Sequence, residues 1–363
     1  MKRILIIIST AFVPFGGLTS VMMNYYRGID KDRFKIDFAS TNAEIDIALK
    51  NELKQNGSTY YCLGNRKRNP LGYIKNLRWV LKNNTYDVVH VNANSATAAI
   101  ELVIAKNAGV PKRIDHNHTS ICDHPTLHKL LYGLFKSSYT DAISCSKKAG
   151  EWIFKDSKYI ILNNGIDSSL YRFNEENRRI IREMYNIPQD TFVVGHVGKI
   201  YKPKNHHFLI KLFSKLLEVK PDARLFLVGD GEMRKEIESD VDNRSIRDSV
   251  IFAGMQRKVY KYLSAMDVFV FPSIWEGMPL SLIEAQASGL RCVCSTSIDN
   301  ESNVTGKVKR IGLDEALDMW VEGVLTCIEY DRGKESDDNI NLIRRNGFDS
   351  RENALTLEKI YQS

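Results

Sequence analysis

Two glutamates with seven residues between them stand out in the second half of the chain. Glu276 lies in a short loop after an apolar run, and Glu284 lies about one turn inside a helix that Pro279 opens. A carboxylate on that helix can accept hydrogen bonds from both hydroxyls of a ribose. A carboxylate in the loop can hold sugar hydroxyls or stabilise positive charge near a reacting carbon. Two ordinary surface glutamates are the alternative, and the apolar surroundings disfavour it.

The segment between these glutamates could bind phosphate through its backbone. The chain passes from loop to helix over Gly277, Met278, Pro279 and Leu280, where N–H groups point out of the helix start. The first turn of a helix also carries partial positive charge, which favours phosphate oxygens. This segment therefore predicts a phosphate site beside the two carboxylates.

Two lysines, Lys199 and Lys204, follow another strand-like segment and precede a helix. Gly198 starts the loop that carries them, and a proline lies within the turn. The spacing of five residues would let both ammonium groups converge on one phosphate group. Ammonium groups beside a helix N-terminus suit a diphosphate, whose negative charge grows as it leaves. A solvated basic loop is the alternative interpretation.

A pair of glycines, Gly16 and Gly17, closes the first loop of the chain and precedes a predicted helix over residues 18–27. Two glycines let the backbone approach a ligand closely, and the helix start favours an anion. The loop lacks the G-x-G-x-x-G pattern of dinucleotide-binding folds, which weakens that interpretation. A plain turn between a strand and a helix stays open.

Two histidines, His116 and His118, are predicted to lie on the loop after the fourth strand. Imidazoles at the carboxyl end of a strand can donate to sugar hydroxyls or phosphate, or transfer a proton. His90 ends another predicted strand, so the three histidines could suggest a metal site. No helix carries acidic or histidine residues at the spacing of metal ligands, and we therefore predict no metal.

These residues must be positioned by the elements around them. Short apolar runs alternate with longer segments of helical period, which predicts parallel sheets covered by helices. The alternation breaks over residues 170–190, which are polar and charged, and restarts with a strand at Phe192. The fold class is therefore α/β, with two doubly wound parallel-sheet domains. Such sheets bind ligands at the carboxyl ends of their strands, and two facing domains would enclose a cleft.

The composition is that of a globular protein of about two domains. The chain has 363 residues, of which 43% are hydrophobic and 26% charged, and its net charge of +7 suggests an anionic partner. The apolar run over residues 4–8 is too short to span a membrane, so we predict a buried first strand rather than a signal peptide. The six cysteines are scattered, which is typical of reduced core thiols in a cytoplasmic protein.

Taken together, these motifs resemble the retaining glycosyltransferases of family four, which have the GT-B architecture of two facing Rossmann-like domains. The family's glutamate pair matches Glu276 and Glu284, including the Glu-Gly-x-Pro core. Its basic pair matches Lys199 and Lys204, although the family usually has Arg at the first position. Lysine carries the charge but cannot form a bidentate fork. The resemblance spans nearly the whole chain, and bacterial capsular and exopolysaccharide transferases are the most similar subgroup.

The resemblance implies a role for each site residue. Glu284 would hold the nucleotide ribose, and Glu276 would face the donor sugar as a catalytic residue. Lys199 and Lys204 would neutralise the leaving diphosphate. One of the two histidines would contact the donor sugar near the reacting carbon. The implied catalytic residues are Glu276, His118, His116, Lys199 and Lys204, and the implied donor-binding residues are Gly16, Gly17, Gly198, Lys199, Lys204, Gln256, Glu276, Gly277, Met278, Pro279, Leu280 and Glu284.

The resemblance also implies a domain plan and an activity. An acceptor-binding domain would cover residues 1–172, a donor-binding domain residues 173–345, and a last helix over residues 346–363 would pack back on the first domain. The implied reaction moves a hexosyl unit from a nucleotide diphosphate sugar, expected to be a UDP-sugar, to a glycan or polyprenyl-linked acceptor in surface polysaccharide biosynthesis. No metal or other cofactor is expected, because the lysines would replace it.

Other functions stay open on the sequence. A nucleotide-sugar epimerase of the same architecture would interconvert donors without an acceptor. A nucleic-acid-binding protein is disfavoured, because basic residues are interspersed with acidic ones and no aromatic-basic stripe is present. We expect a cytoplasmic protein, and basic clusters at residues 66–68 and 147–148 suggest peripheral contact with an anionic membrane.

Overall fold

The structure is a computed structural model that describes residues 1–14, 16–327 and 330–363. The chain forms two compact units: unit 1 comprises Met1–Gly165 with Ser350–Ser363, and unit 2 comprises Ile166–Asp349. The first and last residues of unit 2 form a parallel bridge, and the Ile166 N–H donates to the Phe348 carbonyl at 2.9 Å. The limits expected from the sequence, residues 172 and 345, lie a few residues inside unit 2 at either end.

Unit 1 is built on a parallel seven-stranded sheet with the strand order β3-β2-β1-β4-β5-β6-β7. Its strands are β1 Lys2–Ile8, β2 Phe34–Ser40, β3 Tyr60–Cys62, β4 Val88–Ala93, β5 Lys112–Asn117, β6 Asp141–Ser144 and β7 Ile160–Ile161. Its helices are α1 Gly17–Gly28, α2 Ile47–Gln55, α3 Pro70–Asn83, α4 Ala99–Asn107, α5 Pro125–Lys136, α6 Lys147–Phe154 and the final helix α14 Ser350–Gln362.

The strand order places the helices of unit 1 on two faces of the sheet. The chain moves in one direction from β1 to β3 and in the other from β4 to β7, so right-handed crossovers put α1 and α2 on one face and α3 to α6 on the other. Helix α14 packs on α1. One apolar core includes Leu77, Leu102, Phe135 and Ile153, which come from α3, α4, α5 and α6. These four helices therefore share one face.

Unit 2 repeats this plan with a parallel six-stranded sheet in the order β10-β9-β8-β11-β12-β13. Its strands are β8 Val193–Val197, β9 Arg224–Val228, β10 Val250–Gly254, β11 Val268–Phe271, β12 Arg291–Ser295 and β13 Val308–Ile311. Its helices are α7 Glu175–Met184, α8 His206–Leu217, α9 Arg234–Asn243, α10 Val259–Ala265, α11 Leu280–Ala287, α12 Leu317–Leu325 and α13 Arg332–Arg345. The α/β class and the doubly wound sheets predicted from the sequence are confirmed.

Helix α7 lies in the polar stretch that the sequence analysis treated only as a junction. Most of its charged side chains lie at the surface, but Arg182 is buried and attaches the helix to the rest of the unit. The Arg182 guanidinium lies 2.7 Å from a carboxylate oxygen of Asp267 and donates to the Ala265 carbonyl at 3.0 Å. The ion pair and the hydrogen bonds satisfy the buried cation and fix the helix against unit 2.

Across residues 1–14, 16–327 and 330–363, no helix has both the length and the apolar character that a membrane span requires. All six cysteines are free thiols. Cys145, Cys292, Cys294 and Cys327 are buried, so they act as small apolar core residues.

Candidate active site

An ion pair between Lys204 and Glu276 lies at the carboxyl edge of the unit 2 sheet. Lys204 ends a short 3-10 turn after β8, and Glu276 lies in the loop between β11 and α11. The lysine Nζ is 2.9 Å from Glu276 Oε1 and 4.3 Å from the centre of the Phe271 ring. Burial lowers the pKa of Lys204, and the neighbouring Glu276 carboxylate opposes that shift. The pair concentrates charge in a site largely shielded from water.

Backbone contacts hold the two loops that carry this pair together. The Ile274 N–H donates to the Pro203 carbonyl at 2.8 Å, and the Asn205 side-chain amide donates to the Pro272 carbonyl at 3.1 Å. Asn205 adopts a left-handed conformation with φ of 57° and is the N-cap residue of α8. The separation of Lys204 from Glu276 is therefore set by the backbone and not only by the attraction of their charges.

The second predicted lysine has a different partner. Lys199 Nζ is 2.8 Å from Glu232 Oε2, and both side chains are 58% exposed. The two lysines are thus paired with different carboxylates. An exposed pair of this kind contributes little and exchanges readily with solvent, so Lys199 can turn towards an arriving anion.

Glycines make room for the lysine loop. A Cβ at Gly198 would lie 3.0 Å from Lys204 Cε, and one at Gly229 would lie 1.9 Å from the Gly198 carbonyl oxygen. Gly229 also has φ of 140°, which L-residues rarely adopt. The turn at Gly229–Gly231 therefore packs directly under the loop that presents the lysines.

Two buried histidines lie near Lys204 and are absent from the sequence-based site. His196 Nδ1 lies 2.8 Å from the Val270 carbonyl oxygen, and the His196 and His206 rings are 4.8 Å apart. Burial lowers the pKa of His206 to about 4 and that of His196 well below its usual value, so both rings are neutral. In the described chain His196 Nε2, His206 Nδ1 and the buried Ser273 hydroxyl have no hydrogen-bond partner. The segment from Gly195 to His206 contains both histidines, but the sequence analysis took only Gly198 and the two lysines from it.

Glu284 lies on α11 and is held by a tyrosine from outside the motif. Its Oε1 accepts a hydrogen bond from the Tyr171 hydroxyl at 2.9 Å. Burial raises the pKa of Glu284 to about 7, and the Tyr171 hydrogen bond and the Lys204 charge limit the rise. Near neutral pH this carboxyl is therefore close to half ionised, and ligand hydroxyls that donate to it would favour the charged form.

The start of α11 presents backbone donors between the two glutamates. The helix begins at Leu280, and its N-cap residue Pro279 has no side-chain hydrogen bond and no N–H. Among residues that the structure describes, no acceptor pairs with the N–H of Gly277, Met278 or Leu280. These groups are available to an anion, as the sequence analysis expected.

Gln256 lies after β10, at the same carboxyl edge of the sheet. Its side-chain amide donates to the Ala253 carbonyl at 2.7 Å. The Gly229 N–H donates to the Gly254 carbonyl at 2.9 Å and ties this strand end to the turn under the lysine loop. The residues chosen from the sequence in unit 2 thus all follow β8, β10 or β11.

In unit 1 the structure separates the two candidate histidines. The expectation that His116 lies on a loop is wrong, because β5 continues to Asn117 and pairs with β4 and β6 through these residues. His116 is buried, and its Nδ1 lies 3.2 Å from Nε2 of His90. His90 in turn lies 2.7 Å from the Tyr361 hydroxyl. The first histidine is therefore an internal sheet residue.

His118 lies just beyond the end of β5 and is only partly buried. Its ring nitrogens lie 2.9 Å from Asn92 Oδ1 and 3.1 Å from Asn164 Oδ1, and its ring centre is 4.0 Å from that of His116. Burial lowers the pKa of His118 to about 4, so the imidazole is neutral at physiological pH. The ring is thus oriented from both sides at the carboxyl edge of the sheet.

The glycine pair lies at the start of α1, at this same edge. Gly16 is the N-cap residue, and its N–H donates to the Val13 carbonyl at 3.2 Å. A Cβ at Gly17 would meet nothing within 4 Å, and α1 has no side-chain cap. The start of α1 is therefore open to a ligand, and Gly17 keeps that space free.

Comparison with known proteins identifies the family of this chain. The family described as Glycosyl transferases group 1 matches residues 177–312. EpsF of Bacillus subtilis, which has a provisional glycosyltransferase assignment, is 31% identical, and the match covers 99% of this chain and 96% of that protein. An Escherichia coli UDP-Gal:alpha-D-GlcNAc-diphosphoundecaprenol alpha-1,3-galactosyltransferase is 26% identical over 60% of this chain and 59% of its own.

A solved structure supports the fold. Anabaena Alr3699/HepE, crystallised in complex with UDP-glucose, has a TM-score of 0.79 and 17% identity, and the match covers 99% of each chain. The resemblance to family four glycosyltransferases is thus confirmed for the family and for the GT-B fold. The chain belongs to the group 1 glycosyltransferases.

Proposed function

We propose that this glycosyltransferase moves a hexosyl unit from a UDP-sugar to a glycan or lipid-linked oligosaccharide, with retention of the anomeric configuration, in the biosynthesis of a surface polysaccharide. The observation that carries this proposal is the buried Lys204–Glu276 pair beside the unpaired N–H groups at the start of α11. A cation and backbone donors suit a diphosphate, and a carboxylate suits sugar hydroxyls.

Lys204 and Lys199 act on the leaving diphosphate. Its negative charge increases as the bond to the sugar breaks, so a preorganised cation stabilises the transition state more than the ground state. Lys204 is preorganised by the backbone contacts of its loop, and Lys199 joins it by leaving Glu232. These cations take the role that a divalent metal has in other transferases, so the reaction requires no metal or other cofactor.

Glu276 binds the donor sugar. When the diphosphate engages Lys204, the Glu276 carboxylate can accept hydrogen bonds from sugar hydroxyls and stabilise positive charge at the anomeric carbon. His118, the partly exposed histidine of unit 1, contacts the sugar near that carbon, whereas the buried His116 supports its ring. The diphosphate leaves from one face of the sugar, and the acceptor hydroxyl attacks the anomeric carbon on that same face. The anomeric configuration is therefore retained.

We assign the remaining donor contacts to residues at the same sheet edges. Glu284 accepts hydrogen bonds from the ribose hydroxyls, and the α11 N–H groups from Gly277 to Leu280 bind phosphate oxygens. Gln256 borders the base, and the open backbone at Gly17 lies against the diphosphate. UDP as the nucleotide is supported by the UDP-glucose complex of the Anabaena protein, which shares the fold.

A lipid-linked acceptor is supported by one relative. The Escherichia coli galactosyltransferase acts, by its name, on a diphosphoundecaprenol-linked sugar. An acceptor of that kind resides in a bilayer. We therefore place the protein in the bacterial cytoplasm, with peripheral contact at the inner face of the membrane, and we assign it to capsule or exopolysaccharide synthesis.

Transfer assays with a panel of nucleotide sugars test the proposal. Glu276→Ala and Lys204→Ala should each lower transfer from the preferred donor by at least about 100-fold. The matched controls are Lys215→Ala and Glu218→Ala, which should leave transfer unchanged. Lys215 lies on α8, Glu218 directly follows that helix, and the two form an exposed ion pair. Full activity of both site variants would refute the assignment, and NMR detection of donor interconversion without an acceptor would favour an epimerase.

A further inference from the structure

The net positive charge of the chain lies in unit 1 alone. Unit 1 contains 25 Lys and Arg against 15 Asp and Glu, a net charge of +10, whereas unit 2 contains 26 against 29, a net charge of −3. The surplus of +7 therefore does not come from the lysines at the donor site, which lie in unit 2. An anionic partner is therefore expected to bind unit 1.

Helix α5 in unit 1 exposes an apolar stripe. Leu127, Leu130 and Leu134 follow helical spacing and are 40%, 77% and 48% exposed, and Ile121 just before the helix is 67% exposed. Phe135 is the buried residue of this helix. Isolated exposed leucines are ordinary, but several at one helix side form a patch that needs a partner. The charged residues of α5 are two lysines, Lys129 and Lys136, and no acidic residue.

Helix α3 adds to the same face of the sheet. Leu71 and Trp79 are 78% and 59% exposed on α3, which lies on the same sheet face as α5. The charged residues of α3 are Lys75, Arg78 and Lys82. Like α5, this helix contains no acidic residue. We call the exposed sides of α3 and α5 the α3/α5 face. It combines large apolar side chains with cations.

Basic residues also lie at the edges of α5. Lys67 lies 3.6 Å from Asp123, just before the helix, and Lys155 Nζ lies 4.3 Å from the centre of the Tyr132 ring. Lys106 donates to the Ser137 carbonyl at 3.1 Å at the other end of the helix. The apolar stripe is thus bordered by cations that come from three different segments.

We infer that the α3/α5 face docks on an anionic phospholipid bilayer. Leucines and a tryptophan suit the boundary between headgroups and acyl chains, and lysines suit anionic headgroups. A second copy of this chain is a poorer occupant, because a two-fold contact would place like-charged lysines against each other. The docking would deliver the enzyme to the lipid-linked acceptor, and in that use it rests on the proposed function.

Flotation of the full chain with phosphatidylcholine vesicles, with and without phosphatidylglycerol, tests the inference. We expect binding only with phosphatidylglycerol, and weaker binding as salt rises. Lys129→Gln with Lys136→Gln should weaken binding about 25-fold, since each lysine near an anionic surface contributes about fivefold, or about 1 kcal/mol. Leu130→Gln with Leu134→Gln should weaken it at least about tenfold.

Matched controls lie on the opposite face of the same sheet. Leu355→Gln on α14, at a residue 56% exposed, and Lys50→Gln with Lys54→Gln on α2 should leave vesicle binding unchanged. All variants should keep the melting temperature, because the substituted side chains are exposed. Transfer to a water-soluble acceptor should also be unchanged, which separates a failure of docking from a failure of the proposed function.

Two results would overturn the inference. One is the absence of binding to phosphatidylglycerol vesicles, or equal losses in the α5 variants and the opposite-face controls. The other is a dimer in sedimentation that Leu130→Gln converts to a monomer without any effect on vesicle binding, because the face would then be occupied by a second copy.

Discussion

Replacement of Lys204 by methionine isolates the charge of this lysine from its packing. Methionine keeps the apolar stem of the side chain against Phe271 and removes the ammonium group. Lys204 and Glu276 keep side-chain exposures of only 10% and 15%. The variant therefore leaves the Glu276 carboxylate largely out of water and without its cation.

The structure sets the size of two effects. Removal of one partner from a fully buried ion pair costs about 3–5 kcal/mol, and the residual exposure of this pair places it near the lower end, at about 3 kcal/mol. For a unit of this size that loss lowers the melting temperature by about 6–12 °C. Loss of a preorganised charge at the leaving group should also lower kcat by about 10²–10³.

Calorimetry and transfer kinetics distinguish these effects when a second variant is added. Lys204→Met combined with Glu276→Gln removes both charges and should recover most of the lost melting temperature without recovering kcat. Lys215→Met, at an exposed helical lysine, is the control and should change neither. The reasoning is refuted if Lys204→Met melts and turns over like the wild type, or if the double variant regains activity.

Three further predictions follow from individual contacts. Because the pKa of Glu284 is raised to about 7, UDP affinity measured by calorimetry should rise as pH increases through that value. Tyr171→Phe removes a hydrogen bond that lowers the pKa of this carboxyl, so the rise should move to higher pH. Gly198→Ala places a Cβ 3.0 Å from Lys204 Cε and should reduce kcat about tenfold or more at nearly unchanged melting temperature, since small displacements of catalytic groups are costly. Burial lowers the pKa of His90 to about 3. Below a pH of about 6.5, this histidine is therefore protonated in the unfolded state but stays neutral in the folded state. The melting temperature should therefore fall as pH decreases below that value, and less steeply in His90→Phe.

The parts of the site that the sequence predicts are local in the chain. The loop with Glu276 and the helix with Glu284 are consecutive, so an apolar strand, a proline and a helical period suffice to place both carboxylates. The same holds for Gly16 and Gly17 at the start of α1. Residues within one strand–loop–helix unit can be related to each other without knowledge of the rest of the fold.

The parts that the sequence misses depend on contacts between distant segments. The pairing of Lys204 with Glu276 and of Tyr171 with Glu284 joins loops that only the sheet order brings together. His116 was expected on a loop because the predicted strand ended before it. Here its ring is buried against His90 and continues the strand. The predicted end of β5 was therefore too early. A strand can continue through a buried histidine when the imidazole is hydrogen-bonded.

The distribution of charge could not be predicted from the sequence alone. The net charge of +7 suggested an anionic partner for the chain as a whole, yet unit 2 carries −3 and unit 1 carries +10. A sum over the chain cannot reveal this division, because it depends on which segments fold together. The last helix, α14, contributes to unit 1 although it follows unit 2 in the sequence.

The most direct test of the proposed function follows the anomeric configuration during one reaction. The purified chain would be incubated with a UDP-hexose of α configuration and a lipid-linked acceptor, and the anomeric proton of the product would be observed by NMR. We predict an α-linked product that forms with the wild type and forms at least about 100-fold more slowly with Lys204→Met. A β-linked product would contradict retention, and interconverted donor without any acceptor product would contradict transfer itself.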